Sequence, residues 1–396
     1  MDARIATDRS EKVWLSADSG SFEDFKASME RGTDPSEWPF AAAVEKGVLI
    51  YDGEAVRAAA SNPRSRRALM AEWVGAFDTG PGVIVITRAM PETDVVDRAT
   101  EVFEGIVAAE REQGQGSGDH FAKPGANDRI WNALEKHCLA DADNFARYYA
   151  ADTLAMAAEA WLGRGYQMTA QMNRVNPGGA AQQPHRDYHL GFMSPEQMQV
   201  FPGHIHRISP VLTLQGAVAH CDMPLESGPT LFLPYSQGFF EGYLAFERPE
   251  FQRYFAENHV QLPLEKGDAV FFNPALMHGA GDNRTSDVHR MANLLQASSA
   301  FGRAMESVDR ARMAVTLYPA LKEGLVNGGL TRAHAANAIA ACAEGYAFPT
   351  NLDRDPPVGG LAPKTQAEIM AEALDAGLEP SAFAKVVSDH AERQRA

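Results

Sequence analysis

Glu265-Lys266-Gly267-Asp268-Ala269-Val270-Phe271-Phe272-Asn273-Pro274-Ala275-Leu276-Met277-His278 reads as a tight turn, a buried strand and a histidine at the far end of that strand. Lys-Gly-Asp is turn chemistry, because glycine takes the positive φ that a hairpin turn demands. Ala269–Phe272 is a short apolar run bounded by turn residues, the pattern of a strand covered on both faces. A histidine fixed at the end of such a strand is held rigidly, as a metal ligand must be. After a loop containing Gly and Asn comes Arg290-Met291-Ala292-Asn293-Leu294-Leu295-Gln296. A period of two puts Arg290, Ala292, Leu294 and Gln296 on one face. A guanidinium on a face otherwise mainly small or apolar needs an anionic partner, and its planar fork fits a carboxylate.

Upstream lies Pro184-His185-Arg186-Asp187-Tyr188-His189. On an extended chain His185 and Asp187 share one side and Arg186 points to the other. His185, Asp187 and His278 together are two imidazoles and a carboxylate, the ligand set of non-haem Fe(II) oxygenases. The same three groups also suit catalytic Zn2+, so a Zn-dependent hydrolase stays open. A third reading is a non-catalytic metabolite-binding protein that keeps the fold. His-x-Asp is short and recurs by chance, so its weight comes from the surrounding segments.

In order and content these segments resemble the phytanoyl-CoA dioxygenase-like family of Fe(II)/2-oxoglutarate-dependent oxygenases. Thr169–Arg174 followed by Val-Asn-Pro-Gly-Gly looks like the strand before the family's first metal histidine. Glu226-Ser227-Gly228-Pro229-Thr230-Leu231-Phe232-Leu233-Pro234-Tyr235-Ser236-Gln237 is similar to its NGP…PGSH segment, and His278–Arg290 to its HGSG-N…R segment. The resemblance covers roughly residues 166–300, more loosely from about 80. It implies a mainly β core with helices, a double-stranded β-helix (a jelly-roll or cupin-like barrel). It implies Fe(II) on His185, Asp187 and His278, with 2-oxoglutarate and O2 on the remaining positions. Arg290 would pair with the far carboxylate of 2-oxoglutarate, helped by Thr213 or Thr230. Arg284 is the other candidate, and the strand-like run beginning at Arg290 favours Arg290. The implied reaction hydroxylates a small organic metabolite and releases succinate and CO2. Halogenating relatives carry a small residue where Asp187 stands, so the carboxylate favours hydroxylation. Pro-Tyr-Ser-Gln replaces PGSH, and that turn is expected to present a different group to the substrate.

Composition narrows the partners. A net charge of −16 argues against nucleic acid and against an anionic membrane surface. Cys138, Cys221 and Cys342 are odd in number without metal-type spacing, which predicts a reduced, cytoplasmic chain. No apolar run reaches membrane-spanning length, and the first residues lack an apolar leader.

The organisation expected is one structural unit in three parts. Residues 1–165 are mainly helical (Ser21–Arg31, Gly53–Ala76, Thr93–Arg111, Ala126–Tyr149, Asp152–Leu162) and lend one strand, Gly82–Thr87, to the core. Residues 166–302 are the catalytic core, with strands at Tyr166–Arg174, Val211–His220, Pro229–Pro234, Ala269–Asn273 and Met291–Ser298 and a helical insertion around Gly238–Asn258. Residues 303–396 return to helices that buttress the core, the last of them, Ser381–Arg395, reading as a surface or homodimer helix. Gln171 is the pocket-facing member of the Gln171/Arg174 pair. The loop Gly118–Asn132 reads either as a substrate lid or as packing, with Asn127 and Trp131 as substrate contacts beside Gln171. His204-Ile205-His206 reads as a polar loop rim, or as a metal-binding pair if extended. His189, His220 and Cys221 read as core or rim groups.

Overall fold

The computed structural model describes residues 9–114 and 126–396. Its strands are β1 (Ala43–Glu45), β2 (Val48–Asp52), β3 (Val83–Thr87), β4 (Asn127–Ile130), β5 (Gln167–Val175), β6 (Thr213–Ala219), β7 (Leu231–Phe232), β8 (Val260–Gln261), β9 (Ala269–Phe272), β10 (His278–Gly279) and β11 (Arg290–Ser298). A mixed sheet runs β1-β2-β3-β9-β6-β11-β5-β4, and a small one runs β10-β7-β8. Only β2 and β3 pair in parallel among these strands; the rest are antiparallel. Two helices, Gly53–Ala60 and Pro63–Asp78, make the crossover that a parallel pair requires.

Period two sorts the large sheet into two faces. Leu49, Tyr51, Ile84, Ile86, Phe271, Leu214, Val218, Met291 and Leu295 enter one apolar cluster with the helices. Their neighbours Val48, Ile50, Val83, Val85, Val270, Phe272 and Ala217 enter another, which includes Phe232 and Leu262 from the side of the small sheet. Phe232 and Phe272 meet edge-on at 5.1 Å across the space between the sheets. The continuous apolar runs of β2, β3 and β9 follow from this double coverage.

The helical parts differ in detail from the sequence expectation. Gly53–Ala76 divides in two, because Asn62 caps a new helix with Pro63 at its first position. Asn127–Ile130, expected as helix, is edge strand β4, paired with β5. Strands β1 and β2 were not foreseen. Their turn, Lys46-Gly47, has φ values of 50° and 83°, and Glu45-Lys46-Gly47 repeats the Glu265-Lys266-Gly267 signal. At Gly267 (φ 89°) a Cβ would also lie 2.5 Å from the Met90 carbonyl, so only glycine fits there. Gly203–Val211 is a helix, so His204 and His206 are neither loop nor strand. The last helix, Pro380–Arg393, packs on Arg310–Asn327 through Phe383, which stacks on Tyr318 at 4.0 Å. Its apolar side is therefore used within the chain. Among the described residues no helix is long and apolar enough to cross a membrane, and Cys138, Cys221 and Cys342 are free.

Candidate functional site

His278 does not end β9. The chain leaves β9 at Phe272 and turns through Asn273–Leu276, where the Asn273 side chain accepts the Ala275 N–H and donates to the Phe77 carbonyl. His278 then opens β10 in the small sheet. Nor does His-x-Asp lie in a regular strand. It is an extended strap zipped onto the His278 segment: His185 and His278 exchange backbone hydrogen bonds of 2.9 and 3.1 Å, and the Asp187 N–H donates to the Pro274 carbonyl at 2.8 Å. The strap is extended, so His185 and Asp187 still share a side, while Arg186 turns into the protein and is buried.

The three side chains converge. Asp187 Oδ2 lies 3.5 Å from His185 Nε2 and 3.6 Å from His278 Nε2, and one ligand atom from each residue falls within 4.8 Å of the others. Each Nδ1 lies 2.8 Å from a backbone carbonyl, of Gln183 for His185 and of Leu276 for His278. A carbonyl only accepts, so Nδ1 carries a proton, and in the neutral imidazole Nε2 offers its lone pair to the shared space. This is the arrangement of metal-binding imidazoles, and the residues fit a divalent cation. Gln215 of β6 donates to Asp187 Oδ2 at 2.8 Å and fixes the carboxylate. Burial pushes the Asp187 carboxyl up, but the charges and hydrogen bonds of His185 and His278 outweigh it and hold it well below the usual range. Burial lowers His185, and Asp187 reverses that to a net rise; at His278 burial prevails and the pKa falls.

A cavity of about 770 Å³ opens beside these groups, within the range of small-molecule sites. Gln215, Ala217 and Ala219 of β6, Gln171 and Asn173 of β5, and Arg290, Ala292, Leu294 and Gln296 of β11 form one wall. Arg290 is 7% exposed and donates to the Ser227 and Gly281 carbonyls, at 3.1 and 3.4 Å. No carboxylate pairs with it among the described residues. Burial brings its pKa down to about 10, so it stays charged at neutral pH. Arg284 is exposed and outside the cavity.

Thr230 also lines the cavity; Thr213 does not. Thr213 pairs with Ser298 and Ala219 with Ala292, which leaves Thr213 six residues, roughly 20 Å, from the Arg290 end of the sheet. It cannot assist Arg290. Asn127, Trp131 and Gln171 all line the cavity. Gln171 accepts from Arg129 at 2.6 Å, and the Arg129 guanidinium lies 4.6 Å from the Trp131 ring. Arg174 points the other way, to Asp128 at 2.8 Å. Residues 118–125 of the Gly118–Asn132 loop lie outside the described residues, so the lid expectation falls partly on them.

His189 contacts Ser209 and the Arg303 carbonyl, buried His206 contacts the Met198 carbonyl, and buried His220 lies between Thr100 and Tyr148. The Pro234–Gln237 turn does not reach the cavity: Ser236 and Gln237 are buried behind the ligand-bearing segments. Sequence reasoning missed Gln215 and Arg129. Gln215 shares a face with Thr213 by simple alternation, and that was its only signal.

The phytanoyl-CoA dioxygenase (PhyH) family model matches residues 64–292, more than half of the 396 residues. The chain belongs to the phytanoyl-CoA dioxygenase family. The match begins within the helical N-terminal part, well before the residues that carry the motifs. With this family and this ligand set, the chain is a 2-oxoglutarate-dependent, oxygenase-type enzyme whose cofactors are Fe(II), 2-oxoglutarate and O2. No curated protein matches the chain.

Among solved structures, the epimerase SnoN in complex with Fe3+, alpha ketoglutarate and nogalamycin RO is 18% identical, covering 63% of this chain and 93% of its own, with a TM-score of 0.40. The carbocyclase SnoK from nogalamycin biosynthesis is 18% identical (61% and 86%, TM-score 0.39). AviO1 from Streptomyces viridochromogenes Tue57 is 18% identical (59% and 97%, TM-score 0.42). The family assignment rests on the family match and not on these distant likenesses.

Proposed function

We propose that this enzyme is a hydroxylase of a small organic metabolite, with its two sheets acting as the halves of a double-stranded β-helix. His185, Asp187 and His278 hold Fe(II), and Arg290 holds the far carboxylate of 2-oxoglutarate with Thr230 nearby. The observation that carries the reading is one cavity containing both the converging His-Asp-His set and a buried guanidinium without a counter-ion among the described residues. A Zn-dependent hydrolase has no use for that guanidinium. When bound, Fe(II), 2-oxoglutarate and O2 supply the oxidising power that turns a C–H bond into C–OH, with release of succinate and CO2.

The chain's own residues bind and orient. Gln215 keeps Asp187 turned toward the two imidazoles, and the carbonyls of Gln183 and Leu276 hold each Nδ1–H, so that Nε2 of the neutral ring is the atom left for the metal. Asp187 fills the place a halide would need, which favours hydroxylation. Apart from Arg129 and Arg290 the sheet wall is small, apolar or carboxamide, with Gln171, Asn173 and Gln296 facing inward. That wall suits an uncharged substrate with hydrogen-bonding groups better than a polyanionic thioester. The substrate contacts we assign are Gln171, Trp131 and Asn127. The enzyme acts in the cytoplasm, as the free cysteines and acidic balance favour, and its helices and core work as one unit. Light scattering reads the homodimer expectation.

The test is succinate formation by the Fe(II)-loaded enzyme across a substrate panel, with product mass spectrometry in excess chloride. Hydroxylated product is expected. A chlorinated major product, or turnover that ignores 2-oxoglutarate, refutes the reading.

A further inference from the structure

The turn Pro234-Tyr235-Ser236-Gln237 lies behind the ligand set and touches both arms that carry it. Ser236 Oγ accepts the N–H of Met277, the residue before His278, at 2.8 Å. The Ser236 carbonyl accepts from Arg186 Nη2, between His185 and Asp187, at 3.0 Å. Arg186 is 1% exposed, and its Nε and Nη1 find no hydrogen-bond partner among the described residues. No carboxylate pairs with it among the described residues. Its guanidinium lies 4.6 Å from the Tyr243 ring, and the Tyr243 hydroxyl donates to the Gln237 carbonyl at 2.7 Å. The turn itself is anchored from outside. Gln237 donates to the Gly80 carbonyl at 2.9 Å, and Tyr235 holds a left-handed conformation (φ 70°).

A buried cation without a counter-ion costs stability, and an apolar residue of similar size is often better tolerated. Its presence between two candidate ligands calls for a use that a hydrophobe lacks. Arg can stack on a ring and donate in the ring's plane at the same time, which Lys cannot. We infer that Ser236 and Arg186 are positioning residues that clamp the His185–Asp187 strap and the His278 segment at the separation the metal requires. Ser236 is the common post: its hydroxyl takes one arm and its carbonyl takes the other. Their contribution is pre-organisation of the ligand set, and neither residue touches metal or substrate. This inference rests on the metal site proposed above.

The experiment titrates the metal-free full-length protein with Co(II), and anaerobically with Fe(II), for the wild type, Ser236→Ala, Arg186→Met and Arg186→Lys. Outer contacts of this kind are worth about 10–100-fold in metal affinity. Ser236→Ala and Arg186→Met are expected to weaken Co(II) binding by that factor, with Arg186→Lys between them and the wild type. Thermal melting without metal is the control. Arg186→Met should melt at or above the wild type while binding metal more weakly, a combination that a purely structural role does not give. Variants that melt lower yet bind Co(II) as tightly as the wild type overturn the inference. Should Arg186→Met not fold, Ser236→Ala decides alone by the same criterion. A wild type that binds neither metal overturns the site itself, a different failure from variants that match a metal-binding wild type.

Discussion

The two faces of the large sheet share the same strands and differ in everything else. On the helix side, Met291, Asn293 and Leu295 of β11 meet apolar side chains and a neutral hydrogen-bonded group, in which Asn293 donates to Tyr148 and Tyr149 and Tyr148 meets His220. On the cavity side, Arg290, Ala292, Leu294 and Gln296 leave a charge and an amide facing open space. The first face ties most of its polar groups to one another, although Asn293 Oδ1 finds no partner among the described residues, and it stabilises the fold. The second leaves Asn173 Oδ1 and Gln215 Oε1 without a partner among the described residues and gives Arg290 neutral carbonyls, which is the condition for binding something else. Substitutions on the cavity face should cost function and spare stability, and those on the helix face the reverse.

The largest effect is expected from His278→Ala on the cavity side. It removes a proposed metal ligand, so the anaerobic 2-oxoglutarate charge-transfer absorbance and all turnover should vanish while melting stays near that of the metal-free wild type. A normal chromophore in this variant would remove His278 from the site. Arg290→Ala comes next. Losing one partner of a buried charged pair costs roughly 2–5 kcal/mol, and the half-saturating 2-oxoglutarate concentration should rise about thirtyfold or more. Arg284→Ala should leave it unchanged, and an exchange of these two results would reassign the anchor.

On the helix face, Phe271→Ala should lower stability by about 3–5 kcal/mol, since a ring 2% exposed leaves a cavity behind. Chemical denaturation reads this, and Co(II) affinity of the folded fraction should not move. A smaller effect is set by pH. Burial depresses His137 to about 4 and His220 to about 3, against an ordinary value of 6.5. The unfolded chain therefore takes up protons below 6.5 that the folded chain refuses, and stability falls as pH drops. His185, whose pKa is raised, acts in the opposite sense. Melting temperature should decline from pH 7 to pH 5; a flat profile would show that the buried histidines are not held neutral. The smallest effect is expected at Thr213→Val. The residue lies at the wrong end of β6, so 2-oxoglutarate dependence should equal that of the wild type, and any clear rise restores Thr213 to the site.

Alternation in β11 and the apolar run of β9 were legible because a strand's side-chain period is a local property. The convergence of His185, Asp187 and His278 was legible in part too, since the His-x-Asp spacing works on any extended segment, whether or not it pairs in a ladder. What failed depended mostly on partners elsewhere in the chain. Asn127–Ile130 carries no strong strand pattern and becomes an edge strand because β5 offers it a partner. His204 and His206 follow Pro202-Gly203, which reads as a loop, yet Pro202 serves as the residue before a helix. Thr213 offers a hydroxyl, but register decides which hydroxyl stands near Arg290, and register depends on pairing between distant strands.

The sequence by itself determined which residues can bind a metal and an anion, because that chemistry belongs to the side chains. It also determined which face of β11 they share, because the backbone repeats every two residues. Tertiary structure alone decided that the His185–Asp187 strap closes against His278, that Gln215 steadies Asp187, and that Ser236 ties both arms together. Each of those contacts joins segments 28 to 93 residues apart. No local pattern encodes them, since they exist only once burial has brought the segments together.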